Sequence, residues 1–74
     1  MHGLKFMFFR DTVTEIDDYA FSTCENLEKI YIPATVTKLG EGVFYNCTSI
    51  VIVTPSGSAA EKYAINYKIN YTNE

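Results

Sequence analysis

The sequence predicts an α/β repeat fold, a short right-handed solenoid of about 2.5 coils that ends in a capping helix. Three observations lead to this prediction. A pattern of apolar residues recurs every 23 residues. Each copy joins a short alternating segment, typical of a β-strand, to a turn-like return. The segment after Pro55 leaves the pattern and has the spacing of an amphipathic helix.

The repeat is visible when residues 13–30 are aligned with residues 36–53. Identical residues occupy four positions of this alignment: Val13 and Val36, Thr14 and Thr37, Phe21 and Phe44, Cys24 and Cys47. The same offset places Leu4 on Leu27, so the chain begins inside a repeat. Because conservative matches fall on apolar positions and mismatches lie between them, the similarity indicates a structural repeat.

These offsets predict a single domain over residues 1–74 with four segments. The segments are a partial repeat at 1–12, a full repeat at 13–35, a shortened repeat at 36–55 and a C-terminal cap at 56–74. The third segment is one residue short, and we place the missing residue just before Val51. In the full repeat, Ile30 and Ile32 should face the core, while Lys29 and Tyr31 face the other way.

The return segment at residues 14–21 has apolar spacing close to that of a helical or 3₁₀ turn. Phe21 and Phe44 are expected to stack in the core beneath it. Cys24 and Cys47 should lie about 5 Å apart, the spacing of adjacent strands. A disulfide is conceivable there, but a small buried thiol whose S–H meets a loop carbonyl is favoured, because stacked turns seldom meet disulfide geometry.

Residues 58–67 predict a short helix, with Ser56 or Ser58 as its N-cap. Its apolar stripe contains Ala60, Tyr63, Ala64 and Tyr67. An interaction helix would show the same pattern, but a cover for the open end of the last coil is favoured. Ile69 and Tyr71 are typical of a short strand or an extended finish.

The motif Val-Thr-x-Ile-x-x-x-Ala-Phe-x-x-Cys-x-x-Leu-x-x-Ile-x-Ile-Pro at residues 13–33 resembles the BspA-like (Treponema-type) leucine-rich repeat. The copy from Val36 differs in carrying Val43 for Ala, Ile50 for Leu and one residue fewer before Pro55. Residues 57–71 are similar to the segment that closes such arrays. The resemblance implies a leucine-rich-repeat solenoid, recognition of a protein partner or host surface component, and a secreted or cell-surface location.

Composition argues against several other classes of function. The net charge is −3 and the six Lys and Arg residues are scattered, which is unlike a nucleic-acid-binding surface. The longest apolar run, residues 50–53, is too short to span a membrane, and residues 1–10 show no signal peptide. His2 is the only histidine and no CxxC motif occurs, so we expect neither a metal site nor a cofactor.

The acidic residues do not indicate an enzyme. They fall on connecting turns, at Glu15, Asp17, Asp18, Glu25, Glu28 and Glu41. Acid–base catalysis by carboxylates requires a shared pocket that separates their pKa values, and no paired nucleophile and base is visible in the sequence. We therefore predict no catalytic residue.

The outward strand positions are the candidate partner-binding residues. They are Phe6 and Phe8 in the first strand, Lys29 and Tyr31 in the second, and Val51 and Val53 in the last. These columns would line the concave face of the solenoid, where ligands usually bind. Aromatic residues are frequent anchors in protein interfaces, which favours a recognition module.

The alternative is a structural or assembly unit that associates with itself. The first strand exposes an apolar edge formed by Leu4, Lys5, Phe6, Met7, Phe8 and Phe9. An uncovered edge strand recruits another strand, so we expect a homo-oligomer formed through this edge. A twofold contact between two first strands and a domain swap of the first strand both satisfy this expectation.

Overall fold

The computed structural model describes residues 5–47 and 49–74. This part of the chain contains six short strands and one helix. They are β1 (Phe6–Phe8), β2 (Glu15–Ile16), β3 (Lys29–Tyr31), β4 (Lys38–Leu39), β5 (Val51–Thr54), α1 (Ala59–Tyr67) and β6 (Asn70–Asn73). Within the described ranges, no helix has the length and apolar character needed to cross a membrane.

The main sheet contains four parallel strands in the order β1-β3-β5-β6. Phe6 lies opposite Lys29, as the 23-residue offset predicts, and Lys29 lies opposite Val51, one residue short of that offset. The missing residue therefore falls just before Val51, which confirms the predicted position. Successive repeats stack by pairing equivalent strands, so the sequence offset is also the register of the sheet.

A second sheet contains only β2 and β4, in parallel. The turn predicted for residues 14–21 is present only in the second half of the segment, where the Ala20 N–H donates to the Asp17 carbonyl at 3.2 Å, whereas Glu15 and Ile16 form β2 instead of helical spacing. The Thr37 N–H donates to the Thr14 carbonyl and the Gly40 N–H donates to the Ile16 carbonyl, both at 2.9 Å. Pairing between repeats satisfies these backbone groups, so a local helical turn is not required.

The core lies between the two sheets and the turns that join them. Ile30, Ile32 and Ile52 are fully buried, as the alternation predicts. The rings of Phe21 and Phe44 stack with centroids 6.2 Å apart and an interplanar angle of 14°, which confirms the predicted aromatic stack. Aromatic pairs of this kind contribute about 0.5–1.5 kcal/mol beyond the burial of their surface.

Each strand of the second sheet is followed by an equivalent turn. Turn 1 (residues 17–24) follows β2, and turn 2 (residues 40–47) follows β4. Their left-handed residues recur at the repeat offset. Tyr19 and Gly42 have φ values of 56° and 58°, and Thr23 and Asn46 have values of 59° and 62°. The repeat therefore specifies backbone conformation as well as hydrophobic pattern.

Helix α1 begins after Ser58, whose hydroxyl accepts a hydrogen bond from the Glu61 N–H at 3.1 Å. Of the predicted apolar stripe, Ala60, Tyr63 and Ala64 are buried. Tyr67 is 57% exposed, because the helix ends there and the chain turns away at Lys68 in the left-handed conformation. The predicted extended finish forms β6, which adds a fourth strand beside β5.

Candidate interaction face

The six predicted partner-binding residues lie in two adjacent columns across the main sheet. One column contains Phe6, Lys29, Val51 and Asn70, and the other contains Phe8, Tyr31, Val53 and Thr72. Parallel pairing in register places equivalent residues of successive repeats side by side. The structure therefore brings together residues that are far apart in the sequence.

An aromatic patch (Phe6, Phe8 and Tyr31) covers the β1 end of this face. Phe8 stacks on Tyr31 with ring centroids 4.4 Å apart and an interplanar angle of 8°. Phe8 is 66% exposed and Phe6 is 49% exposed, while Tyr31 is half-buried. Adjacent exposed aromatic side chains on a small protein are typical of a surface that binds another molecule.

The β5 end of the face differs from the prediction. Val53 is only 8% exposed and Val51 is half-buried. Val53 lies between Tyr31 on one side and Thr72 of β6 on the other, and the added strand limits its contact with solvent. The prediction that Val53 offers its side chain to a partner is therefore wrong, although its column is correct.

The predicted self-association edge is β1 and the residues beside it. Leu4 lies outside the described residues. Lys5, Phe6 and Phe8 are exposed, whereas Met7 and Phe9 are half-buried and pack against the core. In the described part of the chain β1 pairs with β3 alone, so its other side has no strand partner.

The opposite edge of the sheet is β6, whose four residues are all exposed. Sequence reasoning missed its importance because Asn70, Thr72 and Asn73 lack the apolar alternation of a buried strand. Among the described residues, each edge strand of the parallel sheet therefore pairs on one side alone, with an aromatic surface near β1 and a polar one at β6.

The two cysteines are free thiols in stacked turns. The Cys47 thiol donates to the Phe21 carbonyl at 2.9 Å, and the Cys24 thiol donates weakly to the Ser22 carbonyl at 3.9 Å. Both contacts agree with the prediction that each thiol donates a hydrogen bond to a loop carbonyl. Burial raises the pKa of Cys47, which disfavours the reactive thiolate.

The acidic residues named above lie at exposed positions on the strands and turns. In the part of the chain that the structure describes, no three His, Cys, Asp or Glu side chains come together as a metal site.

A protein-family model described as the BspA-type leucine-rich repeat region (six copies) matches residues 1–72. Searches among curated proteins and among solved structures found no match. The family match extends over nearly the whole chain, in agreement with the motif at residues 13–33 and with the pairing of equivalent strands. The chain belongs to the BspA-type leucine-rich repeat family.

Proposed function

We propose that this chain is a non-catalytic recognition module that binds a protein partner or a host surface component through the exposed face of its main sheet. Family membership supports the general class, because these repeats form surface modules for protein–protein interaction and are typically without catalysis. The proposal includes a secreted or cell-surface location and an adhesin-like role.

The observation that carries the proposal is the stacked pair Phe8 and Tyr31 on the open sheet face. A preformed aromatic pair loses little side-chain entropy when a partner covers it, and large rigid rings are frequent anchors of protein interfaces. Lys29, exposed in the adjacent column, adds a cation beside the rings.

The same proposal extends to the architecture. The stacked repeats are the coils of a short right-handed leucine-rich-repeat solenoid, about 2.5 coils long, with the aromatic patch on its concave face. Helix α1 serves as the C-terminal cap. The parallel order of β1, β3 and β5 and the burial of Tyr63 against Phe44 support this geometry.

The test is binding of the purified chain to a panel of purified extracellular host proteins, measured by surface plasmon resonance. Phe8→Ala and Tyr31→Ala should each weaken any specific interaction about tenfold, the loss of about 1.4 kcal/mol of binding free energy. The matched control is Ile65→Ala, which removes an exposed apolar residue of α1. Unchanged binding by the two sheet variants, with circular dichroism equal to that of the wild type, would contradict the proposal.

A second candidate function is assembly through β1, favoured by its unpaired edge and the exposure of Phe6 and Phe8. A twofold contact of two β1 strands and a swap of β1 between copies are the two arrangements that remove the edge. Multi-angle light scattering at micromolar concentration tests this candidate. A dimer that Phe8→Lys converts to a monomer supports it, and a wild-type monomer excludes it.

A further inference from the structure

Turn 1 donates a ladder of backbone hydrogen bonds to turn 2. The N–H groups of Tyr19, Phe21 and Thr23 donate to the carbonyls of Glu41, Val43 and Tyr45 at 2.9, 3.0 and 2.7 Å. Alternate amides of one turn thus satisfy the carbonyls of the next. A third turn stacked below turn 2 would receive an equivalent set from it.

The chain provides α1 in place of that third turn. Helix α1 precedes β6 in the chain, as turn 1 precedes β3 and turn 2 precedes β5. The amides equivalent to the turn 1 donors are those of Gly42, Phe44 and Asn46. Among the residues that the structure describes, none provides an acceptor for these three N–H groups. Carbonyls inside a helix bond to amides one turn later, so α1 covers turn 2 without offering main-chain acceptors to these three N–H groups.

A cavity of about 480 Å³ lies between turn 2 and the C-terminal half of α1. Gly42 and Phe44, which carry two of these three N–H groups, belong to its wall. Tyr45, Tyr63 and Tyr67 also line it, and the rings of Tyr63 and Tyr67 are in contact with centroids 4.5 Å apart. The volume is within the range of sites that hold a small molecule or a single side chain.

Every polar side chain in the wall of this cavity carries a hydrogen-bond donor. Lys68 and Asn70 lie at its wall, on the chain that leaves α1, and no carboxylate belongs to the lining. Two backbone N–H groups and a lysine in the same wall favour an anionic acceptor, and the aromatic walls favour an apolar body. A carboxylate carried on an aromatic or branched apolar group combines these two properties.

We propose that this cavity binds a small aromatic or branched apolar carboxylate. The carboxylate accepts hydrogen bonds from the N–H groups of Gly42 and Phe44 and pairs with Lys68, while the apolar body packs among the tyrosine rings. A free aromatic acid and the C-terminal residue of a peptide carry the same chemistry. The site is separate from the aromatic patch of the sheet, so it does not depend on the function proposed above.

The experiment is a titration of the ¹⁵N-labelled chain followed by two-dimensional NMR, with phenylacetate and the tripeptide Ala-Ala-Phe as probes. Saturable shifts of the Gly42 and Phe44 amide signals are expected, with a Kd of about 1 mM. The tripeptide amide, which lacks the terminal carboxylate, should bind at least about fivefold more weakly. Binding by both acids identifies the free acid as a sufficient ligand, and binding by the tripeptide alone identifies a peptide C-terminus.

Two variants sharpen this test. Lys68→Asn retains a residue type that tolerates the left-handed conformation, and it should weaken binding at least about threefold. Lys62→Asn removes an exposed lysine of α1 outside the cavity and should leave the Kd unchanged. The proposal is overturned by the absence of saturable shifts at Gly42 and Phe44 up to about 20 mM probe, or by equal binding of the tripeptide and its amide.

Discussion

The hydroxyl of Tyr63 accepts a hydrogen bond from the Val43 N–H at 3.3 Å and donates one to the Gly40 carbonyl at 3.0 Å. A side chain of α1 thus supplies partners for two backbone groups of turn 2 whose equivalents in turn 1, the Ala20 N–H and the Asp17 carbonyl, bond to each other at 3.2 Å. Burial raises the pKa of Tyr63, in keeping with a neutral phenol that donates and accepts at once.

Removing this hydroxyl should destabilise the chain. Tyr63→Phe retains the ring between Phe44 and Tyr67 but leaves the Val43 N–H without an acceptor. We expect the free energy of unfolding to fall by about 1–3 kcal/mol, the cost of an unsatisfied buried group. Urea denaturation measures it. Tyr67→Phe, which changes an exposed tyrosine, is the control, and equal stability of the two variants would show that the hydrogen bonds of Tyr63 contribute nothing.

A substitution copied from the next repeat should stabilise the chain. Thr23 is an exposed β-branched residue with φ of 59°, and the equivalent residue of turn 2 is Asn46 with φ of 62°. Asparagine tolerates the left-handed region better than threonine, so Thr23→Asn should raise the free energy of unfolding by about 0.5–1 kcal/mol. The reciprocal variant Asn46→Thr should lower it by a similar amount. Thermal and urea unfolding that place Thr23→Asn at or below the wild type would disagree with this account.

The repeat made the main sheet predictable. Because apolar residues recur at a fixed offset, the pairing of Phe6 with Lys29 follows from aligning the copies, and that of Lys29 with Val51 follows once the missing residue before Val51 is included. The stack of Phe21 on Phe44 follows for the same reason. These features depend on identities that the sequence displays directly.

Other features depend on contacts that one repeat does not encode. Strand β2 is two residues long and exists because β4 of the next repeat lies beside it, so its local apolar spacing was misleading. Val53 is buried because β6, a polar strand, lies next to β5. The cavity below turn 2 depends on how the helix meets that turn, which no spacing of residues reveals.

Gly40 should be difficult to replace because turns 1 and 2 approach closely there. A Cβ atom at Gly40 would lie 2.6 Å from the Asp18 nitrogen and 2.9 Å from the Asp18 Cα. These are backbone atoms, so Gly40→Ala should lower the free energy of unfolding by about 3 kcal/mol, the upper end of typical overpacking. Gly57→Ala is the control. Its Cβ would meet open space, and only the backbone cost at φ of +81°, about 1 kcal/mol, remains. Equal losses would refute the close approach of the turns.

The stack of Phe8 on Tyr31 should also couple the first two strands. A double-mutant cycle with Phe8→Ala and Tyr31→Ala should give an interaction energy of about 0.5–1 kcal/mol, because the rings are parallel but partly solvated. Urea unfolding of the four proteins provides the energies. A control cycle combines Phe8→Ala in the sheet with Ile65→Ala in α1. It should give no interaction energy. If the losses of unfolding free energy from Phe8→Ala and Tyr31→Ala were additive, the contact between the two rings would not stabilise the fold.

Stability at acid pH should depend on Glu61, which links the start of α1 to the end of β6. Its carboxylate accepts hydrogen bonds from the Asn73 side-chain amide at 2.8 Å and from the Gly57 N–H at 2.9 Å. These two bonds, that of Asn73 first, lower the pKa of Glu61 below its ordinary value of 4.5. A carboxyl group whose pKa is lowered by folding contributes stability above pH 4.5 and loses that contribution as the pH falls through the lower, folded value.

The variant Glu61→Gln isolates this contribution, because glutamine retains the size of the side chain without the titration. Urea unfolding should show the wild type more stable than Glu61→Gln at pH 7, with the difference shrinking as the pH falls below 4.5 and through the lowered pKa of Glu61. Protection of the Asn73 side-chain amide from hydrogen exchange, compared with Glu61→Gln at the same pH, should fall over the same interval, since the bond that holds the end of β6 weakens. A difference between the two proteins that stays constant with pH would show that the ionised form of Glu61 is not what joins β6 to the helix.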